Sequence, residues 1–277
     1  MSALTGGYRR TPILQIGADI YCDTALMAET LERLFPATSI YPADPTSRAV
    51  VETFSQWGDS NLFWACIAYF YQTDGVGHAL SHQTPEQQET YYKDRAALLA
   101  SRPLSGVAET RATLLIYMQR LEQMLAGGQQ FLFGQSPTLA DFSCYHPLWC
   151  LRSVAPTASI LETAPRVLAW MDRVLAIGHG RHSDFASTDA LEIARKASAA
   201  VINSAASDIP GIALGDEVEV MPSDYGLEPV RGQLVLVEPN HIAIRHHNER
   251  AGTLVDHFPR IGYLIRKAGS ETPSQST

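Results

Sequence analysis

The chain is 277 residues long, about two domains' worth at roughly 150 residues each. Hydrophobic residues make up 45% and charged residues 18%, an ordinary globular mixture that excludes wholesale disorder. The 21 basic and 29 acidic residues leave a net charge of −8. That argues against a nucleic-acid or anionic-membrane partner, because either needs a clustered basic face.

The longest purely apolar run, residues 62–71, is about half the length a bilayer-spanning helix requires. No charged stretch followed by an apolar one opens the sequence, so no secretory signal is expected. Cys22, Cys66, Cys144 and Cys150 show no CxxC spacing and are too few for a disulfide scaffold. These bounds point to a soluble, cytoplasmic protein.

Residues 5–11 form a loop bearing Gly and Arg. A hairpin signal follows, with strands at 13–16 and 19–21 about a Gly17-Ala18 turn. Asp23-Thr24 then opens an amphipathic helix carrying Leu26, Met27, Leu31 and Leu34, which stops at Phe35-Pro36. From about 45 to 205 the pattern is helical. Val50, Phe54, Trp57 and residues 61–71 make one long aromatic helix. Segments 85–100 and 106–126 follow, the second with Leu114, Met118, Leu121 and Leu125 on one stripe.

Thr138-Leu139-Ala140-Asp141 reads as a capping box, in which the Thr hydroxyl and Asp carboxylate satisfy free backbone N–H groups at a helix start. That helix runs through Phe142, Tyr145, Leu148 and Trp149, with a kink expected at Pro147. Segments 165–177 and 188–204 supply two more helices. After Pro210 the period changes. Segments 216–221, 232–238, 241–246, 253–257 and 262–266 are β-rich, separated by Pro, Gly and Asn turns. Five such strands read as a small antiparallel barrel. The tail from Ala268 is polar and expected to fray.

Two stretches carry chemistry. Arg9-Arg10-Thr11-Pro12-Ile13-Leu14-Gln15-Ile16 leads through a turn to Tyr21-Cys22-Asp23-Thr24-Ala25-Leu26. A turn into X-Pro, a β-hairpin, then an acid–hydroxyl pair capping a helix resembles the glutathione-binding half of the glutathione transferase family. The helical region with its capping box is similar to the same family's C-terminal domain, so the resemblance covers about residues 4–200. It implies a mainly α, multidomain fold. Residues 1–36 would be a partial thioredoxin-like α/β segment and 45–205 an all-α transferase-like bundle. Residues 211–267 would be an added Tudor- or KOW-like β-barrel, and 268–277 a disordered tail.

A Thr-Pro bond can be cis at a cost of about 0.5–1 kcal/mol. By the resemblance, the Thr11 backbone N–H and C=O beside Pro12 pair with the cysteinyl backbone of glutathione, as an added strand does. Thr24 at the helix start receives the γ-glutamyl carboxylate, where free N–H groups and the dipole favour an anion. Asp23 holds the ammonium group, and Arg9 or Arg10 is available for the glycyl carboxylate. The bland readings are a trans X-Pro entering a strand and a plain Asp N-cap. The occurrence of both motifs in this order favours the ligand site. The resemblance also implies glutathione as co-substrate, a small electrophile as second substrate, a homodimer and no metal. Trp57 and Tyr69 on the aromatic helix would wall the co-substrate pocket, although core packing is the default for such a stripe.

Complete family members begin with a strand–helix–strand unit whose first strand ends near the catalytic Tyr, Ser or Cys. Residues 1–10 are too few for such a unit, which needs some 30 residues or more, so no catalytic residue is assigned. Either the start codon is misplaced, the favoured expectation, or the protein is a degenerate relative. The 13–21 ribbon would then be marginal alone. The helix after it would lack a sheet partner, leaving its apolar face exposed or repacked onto the helical domain.

The remaining candidates have weaker warrants. Cys22 precedes a helix start, where the dipole lowers a thiol pKa, but Asp23 opposes that shift and an inward-packed thiol is the commoner case. His78 and His82 stand four apart as zinc ligands do on a helix, yet Gly75 and Gly77 favour a solvated loop pair. Asp59 either reaches a partner subunit or is solvated. The basic residues after 230 are interleaved with acids, which favours a docking module or a cover over nucleic-acid binding. Two functions follow. One is a transferase-like protein that conjugates glutathione to an electrophile or uses it as a reductant. The other is a non-catalytic scaffold that binds a protein partner.

Overall fold

The computed structural model describes residues 1–100, 105–199 and 204–269, so the expected frayed tail lies almost wholly outside the described residues. Among these, no helix is long and apolar enough to cross a membrane. The chain divides into two compact units. One holds Met1–Leu34, Asp94–Arg102 and Ser183–Thr277, the other Phe35–Lys93 and Pro103–His182.

In the first unit, β1 (Ile13–Ile16) and β2 (Asp19–Cys22) form the expected hairpin, and α1 (Thr24–Leu34) follows. The ribbon does not stand alone. The five expected C-terminal strands are β4 (Glu217–Pro222), β5 (Val230–Val237), β6 (His241–Asn248), β7 (Gly252–Pro259) and β8 (Tyr263–Lys267). They pair antiparallel among themselves, and β2 joins them by a parallel ladder on β7, Asp19 opposite Val255 and Tyr21 opposite His257. The order is β1-β2-β7-β6-β5-β4-β8, an open mixed sheet, with a two-residue strand β3 (Ser204–Ala205) parallel to β5. The separate barrel is therefore corrected. The apolar edge left by a lone hairpin is covered by β7, so the C-terminal strands and the hairpin share one core.

That core is buried on both faces of the sheet. Leu234, Ile242, Ile244, Leu254 and Phe258 lie in one cluster with Leu4 and Tyr8 of the N-terminal loop. Val235, Leu236, Ala243 and Val255 form another. Helix α10 (Ser187–Lys196) adds Ala194 to the first cluster. The helix expected over 188–204 stops earlier because Ala197 turns to extended backbone; residues 200–203 lie outside the described set. Three of the basic residues, Arg231, Arg266 and Lys267, are held in ion pairs. Buried Glu219 accepts from Arg231 Nε and Arg266 Nε at 2.7 Å each, and Lys267 pairs with Asp216. On α1 only Leu26 and Thr30 are buried, while Leu31 and Leu34 remain exposed.

The second unit is helical. α2 (Pro45–Trp57) and α3 (Phe63–Gln72) are the two halves of the expected aromatic helix, joined by a π-turn over Gly58–Leu62. The break falls where a Cβ on Gly58 would lie 3.0 Å from Cys144 Sγ, a tight approach that glycine makes without any shift of α7. α4 (Gly75–Ala79) follows, then α5 (Pro85–Leu99), which belongs to this unit only up to Lys93, α6 (Val107–Met124), α7 (Leu139–Arg152), α8 (Ala155–Ala158) and α9 (Pro165–Ile177). The expected stripe Leu114, Met118, Leu121 and Leu125 is buried against Leu148, Leu151 and Trp170. The capping box holds as read: Asp141 Oδ2 accepts the Thr138 N–H at 2.8 Å and the Thr138 hydroxyl at 2.9 Å. Its other oxygen accepts the Leu132 N–H and the Trp170 indole N–H, both at 2.8 Å.

Candidate functional site

Hairpin geometry decides what the first unit can present. Ile13 pairs with Cys22, so the residues just outside that pair, Thr11-Pro12 on one arm and Asp23-Thr24 on the other, come to the same open end. The Thr11–Pro12 peptide is cis. Both its residues are exposed, as is Thr24, whereas Asp23 is half-buried. Asp23 takes a left-handed conformation, φ 78°, one that Asp tolerates better than most residues. This turn brings Asp23 Oδ1 within 3.0 Å of the Ala25 N–H and satisfies one free donor of α1. The structure thus brings together Thr11, Pro12, Asp23 and Thr24.

Around Asp23 lies a set of residues that sequence reasoning did not join to it. Tyr263, the first residue of β8, donates its hydroxyl to Asp23 Oδ2 at 3.3 Å. The Tyr8 and Tyr263 oxygens are 2.7 Å apart, and with the Tyr263 proton on Asp23, Tyr8 donates to Tyr263. Arg10 donates to Asp224 and to the Tyr225 carbonyl, and its guanidinium carbon sits 3.8 Å from the Tyr225 ring centre. Arg9 instead pairs with Asp94 and Glu228.

Burial pushes the Asp23 carboxyl above its usual range. The Ala25 N–H, Arg10 and the Tyr263 hydroxyl oppose that rise, and Asp224 adds to it. Burial also raises both Tyr8 and Tyr263, so these hydroxyls stay protonated and act as donors. No local pattern marks Tyr8, Asp224, Tyr225 or Tyr263, because their meeting depends on strand pairing across more than 200 positions. The stretches Asp224-Tyr225-Gly226 and 258–263 read in the sequence as parts of the Tudor- or KOW-like barrel, with no ligand role.

The other candidates take structural places. Cys22 is fully buried, and burial, then Asp256 and Asp23, raise its thiol well above the usual range. That overturns a dipole-activated thiol. In the helical unit Tyr69 is buried in the core, whereas Trp57 packs on Phe54 and Tyr117 and lines an open groove along α2 with Pro45, Ala49 and Val50. Asp59 is partly exposed and accepts the Ser143 hydroxyl at 2.9 Å. His78 pairs with Asp74. Among the described residues no group of three or more His, Cys, Asp or Glu could hold a metal ion.

Comparison with known proteins adds independent findings. Residues 107–173 match the model of the glutathione S-transferase C-terminal domain. A GST-like protein from Pseudomonas syringae, known from a crystal structure, is 38% identical and superposes with a TM-score of 0.77, covering 96% of this chain and 84% of that one. Glutathione S-transferase theta-2 of Rattus norvegicus is 25% identical over 169 residues, and the match spans 61% of this chain and 61% of the rat protein. The chain is also 23% identical to the beta-etherase LigF from Sphingobium sp. strain SYK-6, covering 60% of this chain and 74% of that one with a TM-score of 0.43, too remote a likeness to bear on the site.

Proposed function

The chain belongs to the glutathione S-transferase-like family, and from that premise we propose that it binds glutathione at the open end of the β1–β2 hairpin. One observation carries the reading: the register that sets Thr11-Pro12 beside Asp23-Thr24. The cysteinyl backbone of the ligand pairs with the Thr11 backbone as an added strand would. The γ-glutamyl carboxylate meets Thr24 and the first turn of α1, where backbone N–H groups and the helix dipole favour an anion. The ammonium group meets Asp23. Arg10, committed to Asp224 and within electrostatic reach of Asp23, belongs to this γ-glutamyl end.

The reaction class is conjugation of glutathione to a small electrophile, or reduction at its expense, by a homodimer in the cytoplasm. Of the two aromatic candidates for the electrophile, Tyr69 is buried in the core and Trp57 lines the open groove along α2. The test is retention on immobilised glutathione. The wild-type chain is expected to bind and to elute with free glutathione, and Asp23→Ala and Thr24→Ala to pass through. Retention untouched by either substitution would move the assignment to a non-catalytic scaffold.

A further inference from the structure

We propose that Cys66 on α3 and Cys150 on α7 form a dithiol–disulfide pair, oxidised by exchange with a low-molecular-weight disulfide that enters at Cys150. The pair lies in the helical unit and is independent of the glutathione reading of the hairpin. Register supplies the first argument. Asp59, in the π-turn that leads into α3, accepts the Ser143 hydroxyl of α7 at 2.9 Å. Further along both helices the Phe63 ring stacks on His146, with ring centres 5.4 Å apart. Contacts that advance together in sequence mean that α3 and α7 run parallel. One turn beyond Phe63 on the same face is Cys66, and one turn beyond His146 is Cys150. The next facing pair is therefore two thiols.

Reach supplies the second. Packed helix axes about 8–10 Å apart, with Cα atoms about 2.3 Å from each axis, put facing Cα atoms roughly 3.5–5.5 Å apart. That overlaps the ~4.4–6.8 Å that a disulfide spans. Cys150 packs against the core cluster that contains Cys66. The two groups also act on each other: burial, then the charge of a Cys150 thiolate, raises the Cys66 thiol.

Exposure sets the order of events. Cys150 is half-buried and Cys66 is fully buried. Cys150 loses its proton to water, and its thiolate attacks one sulfur of the small disulfide. A mixed disulfide forms and one small thiol leaves. Cys66 then gives up its proton and attacks the Cys150 sulfur, which expels the second small thiol. Two protein thiols are oxidised to one disulfide, and one small disulfide is reduced to two thiols. Burial raises both protein thiols, which keeps the thiolate fraction small and makes the exchange slow. Cys144 lies against Gly58 and is fully buried, so a Cys66–Cys144 pair has no exposed thiol at which exchange can start.

The test incubates the folded full chain overnight with glutathione disulfide and no reductant, quenches with acid, and maps the cysteines by peptide mass spectrometry. Most wild-type chains are expected to carry a Cys66–Cys150 disulfide. Cys22 and Cys144 should remain free thiols, the mark of exchange in the folded state. Cys66→Ser should stop at a glutathione adduct on Cys150, and Cys150→Ser should leave Cys66 free. Four free thiols in the wild type overturn the inference. So does an adduct on Cys150 without the internal bond, a disulfide between any other two cysteines, or a Cys66–Cys150 bond found only where Cys22 and Cys144 are modified too. None of these results bears on ligand binding at the hairpin, and the wild-type map needs no variant to fold.

Discussion

Asp141→Ala is the substitution whose cost can be worked most fully from contacts. The side chain is completely buried and its two oxygens accept four hydrogen bonds, from the Leu132 N–H, the Trp170 indole, the Thr138 N–H and the Thr138 hydroxyl. Alanine removes every acceptor at once. The Thr138 groups lie at a helix start and can partly re-pair, at the usual capping loss of about 1 kcal/mol. The Leu132 and Trp170 donors are walled in by the helical core, and each orphaned buried donor costs about 1–3 kcal/mol. The total is about 3–7 kcal/mol, a large fraction of the 5–15 kcal/mol typical of a domain.

Asp141→Asn keeps one oxygen for Leu132 and Trp170 but turns an amide toward the Thr138 N–H, so about 1–3 kcal/mol is expected. Urea unfolding followed by tryptophan fluorescence measures both. A loss below about 1 kcal/mol for Asp141→Ala would refute the view that this carboxylate ties the start of α7 to α9.

Three more expectations concern the first unit. Burial, with help from His257 and Arg33, lowers His241 to about 3, so between the unfolded value near 6.5 and that figure the unfolded chain binds the extra proton and stability falls as pH falls. The slope is about 1.4 kcal/mol per pH unit; His241→Gln, which can still donate to His257, should lose less stability than the wild type between pH 7 and 5, and equal slopes would contradict the assignment. Gly6→Ala should destabilise by about 1–3 kcal/mol in thermal melts, since φ there is 54° and the new Cβ would lie 2.6 Å from Val230 Cγ1; an unchanged melting temperature would show that the N-terminal loop does not pack as described. Cys22, Cys66 and Cys144 are buried with raised thiols, so mass spectrometry after brief iodoacetamide treatment should find them unmodified in native protein and modified only after denaturation; rapid native labelling of Cys22 would be the contrary result.

The legible parts of this sequence are those where local chemistry acts alone. The Thr138–Asp141 box, the Gly17-Ala18 hairpin turn and the punctuated strands after Pro210 all occur where residue type and spacing place them. What was not legible depends on distant partners. β7 is buried through Leu254, Val255, Asp256, His257 and Phe258, so it lacks the alternation that marks a one-sided strand, and nothing near Asp19 announces a parallel neighbour at Val255. The π-turn over Gly58–Leu62 interrupts a helical pattern that the sequence shows as unbroken, at a glycine packed closely on α7. At the candidate site the hairpin half was readable, since an X-Pro turn and an Asp-Thr cap have local signatures. Tyr8, Asp224 and Tyr263 were not, because a tyrosine or a turn aspartate becomes part of a site only through the fold that delivers it.

A crystal structure of the full chain with bound glutathione tests the central assignment most directly. The expected density places the γ-glutamyl ammonium within hydrogen-bond distance of the Asp23 carboxylate, with the cysteinyl N–H and C=O paired to the Thr11 backbone. Glutathione ordered elsewhere on the molecule, leaving Thr11 and Asp23 untouched, would contradict it.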